Sequence, residues 1–254
     1  MGGHTAFRRD RCRVCSLESR CHFHVGNPAN CCGKAGNIGN PARVRAGRRS
    51  VGLWPGRVTR TTGGNITGLS NQTADIAGKR VELLRELAGQ LRRLAIMVKS
   101  DNASAASEMR EVKAAAGALG IEAVPFEIGQ AGDIGPAFEA LKGRADALYV
   151  VIDSLVTTHA NRINTLALGA RLPTMHGARE LVAAGGLVSY AAAYEDLYRR
   201  GAEYIDKILR GTKPADIPIE QPTKFDLVLN LTTAKVLGLT IREAFLLRAD
   251  EVIE

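Results

Sequence analysis

Residues 92–190 alternate between short apolar runs and amphipathic segments, and this alternation restricts the fold more than any other feature. Strand-like runs at residues 94–98, 121–128, 147–152 and 172–175 are separated by segments with helical spacing. Strands that are apolar on both faces are typical of a parallel sheet covered by helices. The pattern therefore predicts an α/β fold with a parallel sheet flanked by helices.

The chain continues after this unit. A long helix is predicted from the stripe formed by Leu197, Gly201, Ile205 and Ile208, and it ends at Gly211. Residues 224–229 then alternate as in a strand with one buried face. An additional helix and strand need a second surface to cover, which predicts a two-lobed protein whose chain crosses between the lobes more than once.

The basic charge is confined to the first quarter of the chain. The formal net charge is +8, yet residues 1–60 hold 12 Lys and Arg against 2 Asp and Glu, a net of +10. Residues 61–254 hold 22 against 24, a net of −2. A nucleic-acid partner would therefore have to bind residues 1–60 alone.

Two interpretations of residues 1–60 stay open. One is a zinc site, in which a Cys-x-x-Cys pair would be completed by other Cys and His residues, although the spacing fits no standard second pair. The other is an unfolded basic extension. No apolar core of a secretory signal follows the early arginines. The candidate zinc ligands are Cys12, Cys15, Cys21, His22, His24, Cys31 and Cys32.

Motifs of common enzyme classes do not occur. The chain has no Gly-x-Ser-x-Gly, no Gly-x-Gly-x-x-Gly and no Walker loop, since Gly78-Lys79 is followed by Arg80. We therefore expect a protein that is not an enzyme and needs no cofactor.

Several long segments, in order, resemble one family. GGNITGLSNQ at residues 63–72, RRLAIM at 92–97, FEALKGRADALYV at 138–150, RINTLALGARLPTMHG at 162–177 and residues 204–239 are similar to substrate-binding proteins of ABC importers. The likeness is to a subgroup linked to the uptake of tryptophan or related amino acids, and it covers about residues 62–254.

The resemblance implies a periplasmic protein of the type 1 periplasmic-binding fold, which traps a small solute, such as an amino acid, in a cleft between two lobes. It would deliver the solute to an ABC permease at the inner membrane, with no nucleic-acid partner. Since residues 1–60 resemble no part of the family, we expect a non-native or disordered N-terminus, most of the first lobe missing and binding impaired. The predicted divisions are residues 1–60 (extension), 61–91 (hinge and helix), 92–190 (second lobe) and 191–254 (return segment completing the other lobe).

Candidate binding residues lie where the predicted strands end, because ligands of parallel α/β sheets bind beyond the carboxyl ends of strands. Backbone amides at residues 102–104 would bind a solute carboxylate, Asp153 its ammonium group, and Tyr190 an apolar or aromatic side chain. Simpler roles are open: caps for Asp101 and Asn102, a turn for Asp153, a structural hydrogen bond for His176 and packing for Tyr190. The full set is Ser100, Asp101, Asn102, Ser104, Asp153, Ser154, His176 and Tyr190.

Overall fold

The computed structural model describes residues 22–25, 66–100 and 102–254. These residues divide into two compact units. The smaller unit joins the described residues up to Asn71 to Tyr194–Pro222, and the larger unit joins Gln72–Ala193 to Thr223–Glu254. The chain passes from one unit to the other after Asn71, after Ala193 and after Pro222.

The larger unit is built on a seven-stranded sheet with the order β4-β3-β5-β6-β7-β8-β9. Neighbouring strands are parallel except for β7 and β8, which are antiparallel. This mostly parallel sheet, with helices on its faces, confirms the predicted fold class. The strands are β3 (Arg93–Lys99), β4 (Glu122–Ile128), β5 (Ala147–Val150), β6 (Thr174–His176), β7 (Val188–Ala192), β8 (Phe225–Asn230) and β9 (Glu251–Ile253).

Helices connect successive strands of the sheet, and a short 3-10 turn at Ala131–Asp133 precedes one of them. No helix among residues 66–100 and 102–254 is both long and apolar enough to span a bilayer. In chain order the helices are α1 (Ala77–Ala88), α2 (Ala103–Ala118), α3 (Ile134–Leu141), α4 (Ser154–Thr158), α5 (Ala160–Gly169), α6 (Arg179–Ala183), α7 (Tyr194–Leu209), α8 (Leu231–Leu237) and α9 (Glu243–Leu246).

One hydrophobic core joins the sheet to α1 and α2. On α1 the buried positions Ala77, Val81 and Leu84 recur at helical spacing, so one face of the helix is apolar. They pack in one cluster with Ile96 of β3 and Leu229 of β8, whose side chains are fully buried. The core thus fixes the ends of the helices relative to the carboxyl ends of the strands.

Among the described residues of the smaller unit are two short parallel strands and one long helix. Strand β1 (His22–Val25) pairs with β2 (Ile66–Leu69), and Thr67 Oγ1 donates to the carbonyl of Ile217 at 2.8 Å. Helix α7 buries Leu197 and Gly201 of the predicted stripe but leaves Ile205 43% exposed. Two of the four residues in the predicted stripe, Leu197 and Gly201, are therefore buried among the described residues.

The structure divides residues 191–254 differently from the sequence expectation. Helix α7 belongs to the smaller unit, but β8 pairs with β7 along its length and belongs to the sheet of the larger unit. The physical reason is that Leu227 and Leu229 of β8 project into the same core as Val188 of β7. Residues 72–91 also belong to the larger unit, because α1 covers its sheet.

Candidate ligand-binding site

Asn102 and Asp153 join two helix N-termini at the carboxyl ends of β3 and β5. The Asn102 side-chain oxygen caps α2 by accepting from the amides of Ser104 at 3.0 Å and Ala105 at 3.3 Å. Its amide nitrogen donates to Asp153 Oδ2 at 2.9 Å. The other oxygen of Asp153 caps α4 through the amide of Leu155 at 2.9 Å. A half-buried carboxylate is thereby held in place where two helices begin.

These caps change the role expected for the start of α2. The amide of Ser104 was predicted to bind a solute carboxylate, but Asn102 already accepts its hydrogen bond. Capping, which the sequence left open for Asn102, is what this side chain does, and Asp153 caps a helix as well. Asp101 lies outside the described residues.

Three serines of the predicted set lie within two residues of Asn102 or Asp153 in the sequence. Ser100, the residue after β3, is exposed, and Ser104 in the first turn of α2 is half-buried. Ser154 is exposed beside Asp153, and its hydroxyl lies 3.4 Å from Asp153 Oδ1. The Ser154 hydroxyl therefore donates to the same carboxylate oxygen that caps α4, while Ser100 and Ser104 place hydroxyl groups next to Asn102 in the chain.

Tyr190 contributes an aromatic ring from β7. Its ring is stacked on Phe225 of β8, with centroids 5.7 Å apart and planes 23° from parallel. Both rings are half-buried, and burial, assisted by the nearby Asp250, raises the pKa of Tyr190. Phe225 was not among the predicted binding residues, because pairing between β7 and β8 brings it to Tyr190 from 35 positions along the chain.

His176, the last residue of β6, is buried. It is only 1% exposed, and a Cβ added at Gly186 would lie 2.4 Å from His176 Nε2. Neither ring nitrogen has a hydrogen-bond partner within the described residues. Burial, together with the positive charge of Arg80, lowers the pKa of His176 to about 3 and keeps the ring neutral. Contact with a solute would require the segment around Gly186 to move.

A buried polar network that the sequence analysis did not identify lies next to these residues. Arg80 of α1 is 1% exposed and donates through Nη1 to Glu108 Oε1 at 2.7 Å and to the Tyr149 hydroxyl at 3.1 Å. The Tyr149 hydroxyl donates in turn to Glu108 Oε1 at 2.8 Å. Arg80 Nε also donates to the main-chain carbonyl of Tyr190 at 2.6 Å.

Two charges of opposite sign compensate each other inside this network. Burial raises the pKa of Glu108, while the guanidinium of Arg80 and the hydroxyl of Tyr149 act in the opposite direction.

A signal for the network existed in the sequence. Arg80 lies three residues after Ala77, and Glu108 three residues after Ala105, so each charge occupies a position on a buried helix face.

The described residues contain no group of three or more His, Cys, Asp or Glu side chains suited to hold a metal ion. The cysteines of the hypothetical zinc site lie outside the described residues, as do the side chains of His22 and His24. The chemistry of the carboxyl edge is thus that of a carboxylate, hydroxyls and stacked rings, which suits the binding of a small polar molecule with an apolar part.

Comparison with known proteins defines the class. The family model described as ABC transporter substrate binding protein matches residues 56–253, so the chain belongs to this family. Proteins of the family bind substrates and are not enzymes, and the structural neighbours are type 1 periplasmic-binding proteins.

Individual relatives agree with this membership. The tyrosine-binding protein of Clostridioides difficile (strain R20291) is 23% identical over 177 residues, which are 70% of this chain and 51% of the relative. A conserved domain protein from Vibrio cholerae is 29% identical with a TM-score of 0.71, over 76% of this chain and 64% of that one. An ABC domain from Streptococcus pneumoniae in complex with L-Trp is 27% identical with a TM-score of 0.71, over 76% and 67%. The chain spans about half the length of the curated relative it matches.

Proposed function

We propose that this chain is the solute-binding component of an ABC importer, which captures an amino acid in the periplasm and delivers it to a permease at the inner membrane. The observation that carries the proposal is the family match over residues 56–253, together with the L-Trp bound to a relative that is 27% identical. The tyrosine-binding relative supports the same class of solute.

Asp153 is the residue we assign to the solute's ammonium group. Its carboxylate is half-buried and is held by Asn102 Nδ2 at 2.9 Å and the amide of Leu155 at 2.9 Å. A carboxylate oxygen has two acceptor sites, so these bonds leave acceptor capacity for a cation. A fixed carboxylate binds an ammonium group through charge-assisted hydrogen bonds.

The rest of the solute has partners of matching chemistry at the same edge. We assign the solute carboxylate to the Ser100 and Ser104 hydroxyls, because Asn102 already accepts from the amide of Ser104 and the Ser154 hydroxyl donates to Asp153. The ring of Tyr190 supplies a stacking surface for an apolar or aromatic side chain. In this proposal the buried His176 is a packing residue beneath the site and does not touch the solute.

Calorimetric titration of the full chain with the twenty amino acids tests the proposal. We expect saturable binding of at least one aromatic amino acid, and a loss of about tenfold or more in affinity for Asp153→Asn, because one charge-assisted interaction is removed. Asn still caps helices well, so α4 is preserved.

Asp146→Asn is the matched control, since Asp146 lies at the amino end of β5 and is bonded to Arg93. Its effect on affinity should stay within about twofold. Absence of binding by the wild-type chain, or equal losses in the two variants, would contradict the proposal. No observation on the described residues favours a zinc-binding or nucleic-acid-binding function.

A further inference from the structure

Arg80 and Glu108 form an ion pair inside the core of the larger unit, with side chains 1% and 2% exposed. Burying two charges costs so much desolvation that well-packed apolar residues often give equal or greater stability. Stability alone therefore does not account for an arginine at this position. The other contacts of Arg80 indicate what else it does.

The guanidinium connects two helices to the main chain of a strand. One nitrogen reaches Glu108 and the Tyr149 hydroxyl, and Nε donates to the carbonyl of Tyr190 at 2.6 Å. Gly177 leaves room for this arrangement, because a Cβ added there would lie 3.3 Å from Arg80 Nη2. The planar fork of an arginine makes these contacts simultaneously, which the single ammonium group of a lysine does not.

Arg80 holds Tyr190, whose half-buried ring belongs to the candidate site. Tyr190 stacks on Phe225, which starts β8, so a shift of the Tyr190 backbone would change the contact between the two rings. Tyr190 also lies three residues before the point at which the chain leaves the larger unit after Ala193. Pairing with β8 holds β7 from Val188 to Ala192, and the hydrogen bond from Arg80 adds a side-chain anchor in the middle of that strand.

We propose that Arg80 is a positioning residue, which Glu108 and Tyr149 orient so that it fixes a stacked platform of Tyr190 and Phe225, and that this platform binds the side chain of an aromatic amino acid. The inference rests on the proposed function and adds two residues to it, Arg80 and Phe225. Arg80 acts through Tyr190 and does not touch the solute.

The first test compares the same substitution at two edges of one sheet. Arg80→Lys should weaken binding of L-tryptophan by about tenfold, since one hydrogen bond to the platform strand is lost. It should change binding of L-leucine less, because an aliphatic side chain gains less from stacking. Arg93→Lys is the matched control, because Arg93 pairs with Asp146 at the amino end of β3 and should leave both affinities within about twofold.

A double-mutant cycle tests whether Arg80 works through the platform. Phe225→Leu should also weaken L-tryptophan binding, and the double variant should lose less than the product of the two single effects. Phe126→Leu is the matched control, as Phe126 is a half-buried ring packed edge-on against Phe138 at 6.5 Å. Phe225→Tyr, which keeps the ring, should retain affinity if Phe225→Leu proves unstable.

The outcomes separate the two proposals. If the wild-type chain binds no amino acid, the proposed function is refuted and this inference falls with it. If the wild-type chain binds L-tryptophan but folded Arg80→Lys and Phe225→Leu chains bind as it does, the inference alone is refuted. Independent effects in the cycle, or equal losses for L-leucine and L-tryptophan, also overturn it, because a purely structural arginine would give that result.

Discussion

The two edges of the large sheet use their polar residues differently. At the amino edge, Asp146 accepts hydrogen bonds from the amides of Arg92 and Arg93 and from the Arg93 guanidinium at 2.9 Å, in contact with solvent. Toward the carboxyl edge, Arg80 and Glu108 pair with no access to solvent. The amino-edge charges tie a loop to a strand, whereas the buried charges hold two helices and a strand end together.

This contrast separates polar groups that stabilise locally from polar groups that organise a site. An exposed ion pair contributes little, because water solvates each partner nearly as well. A buried pair contributes most through the cost of breaking it, since the remaining charge has no solvent. We therefore expect the variants at the two edges to differ in magnitude as well as in effect on binding.

The largest effect is predicted for Glu108→Leu. Removal of the carboxylate leaves the buried guanidinium of Arg80 without its counter-charge, which should lower the free energy of unfolding by about 3–5 kcal/mol. Urea unfolding followed by circular dichroism measures the change. Glu139→Leu, which breaks the exposed pair with Lys142, should cost within about 0.5 kcal/mol. Similar losses in both variants would remove the distinction between buried and exposed pairs.

A smaller effect concerns pH and His176. The pKa of His176 is lowered to about 3 by burial and by Arg80, below the ordinary value of about 6.5, so the unfolded chain takes up a proton first. The stability contribution is complete above pH 6.5 and is lost as pH falls toward 3. Between pH 6.5 and 5 the free energy of unfolding should fall by about 1.6 kcal/mol.

Urea titrations at pH 6.5 and pH 5 measure this loss. His176→Gln should lack this part of the pH dependence, whatever its absolute stability. His159→Gln, at a half-buried position between α4 and α5, should keep it. An unchanged pH dependence in His176→Gln would mean that the imidazole does not stay neutral inside the fold.

The smallest effect is predicted at the cap of α2. Asn102→Ala removes the acceptor for the amides of Ser104 and Ala105, and should cost about 1 kcal/mol. Asn161→Ala, on the exposed side of α5, should change the free energy of unfolding by less than about 0.5 kcal/mol. If the two substitutions lower the free energy of unfolding by the same amount, the cap makes no measurable contribution to stability.

Much of the larger unit was predictable from the sequence because its elements carry local signals. Strand β3 is apolar at its five central positions, the buried residues of α1 recur at helical spacing, and Asn230, a residue type that favours helix N-termini, caps α8. Strand β7 was not identified as a strand, and β8 was assigned away from the sheet. The place of each in the sheet depends on pairing with residues distant in sequence, which a local pattern does not reveal.

The candidate site was only partly predictable for a related reason. Residues that follow strand ends are visible in sequence, so Asn102 and Asp153 could be selected. Tyr190 was selected from the segment after this unit, and it lies in the middle of β7. Which of their atoms are already bonded depends on tertiary contacts, and so Asn102 proved to be a cap. The connection from Arg80 to Tyr190 joins residues 110 positions apart, and only the fold brings them together.

Amide-resolved NMR of the full chain titrated with L-tryptophan tests the central claim most directly. We predict shift changes concentrated at the carboxyl edge, at residues 100–104, 153–155, 190 and 225, with the amides of Arg92 and Arg93 at the amino edge unchanged. The account would be contradicted by saturable shift changes at Arg92 and Arg93. It would also be contradicted if neither L-tryptophan nor any other amino acid changed the spectrum.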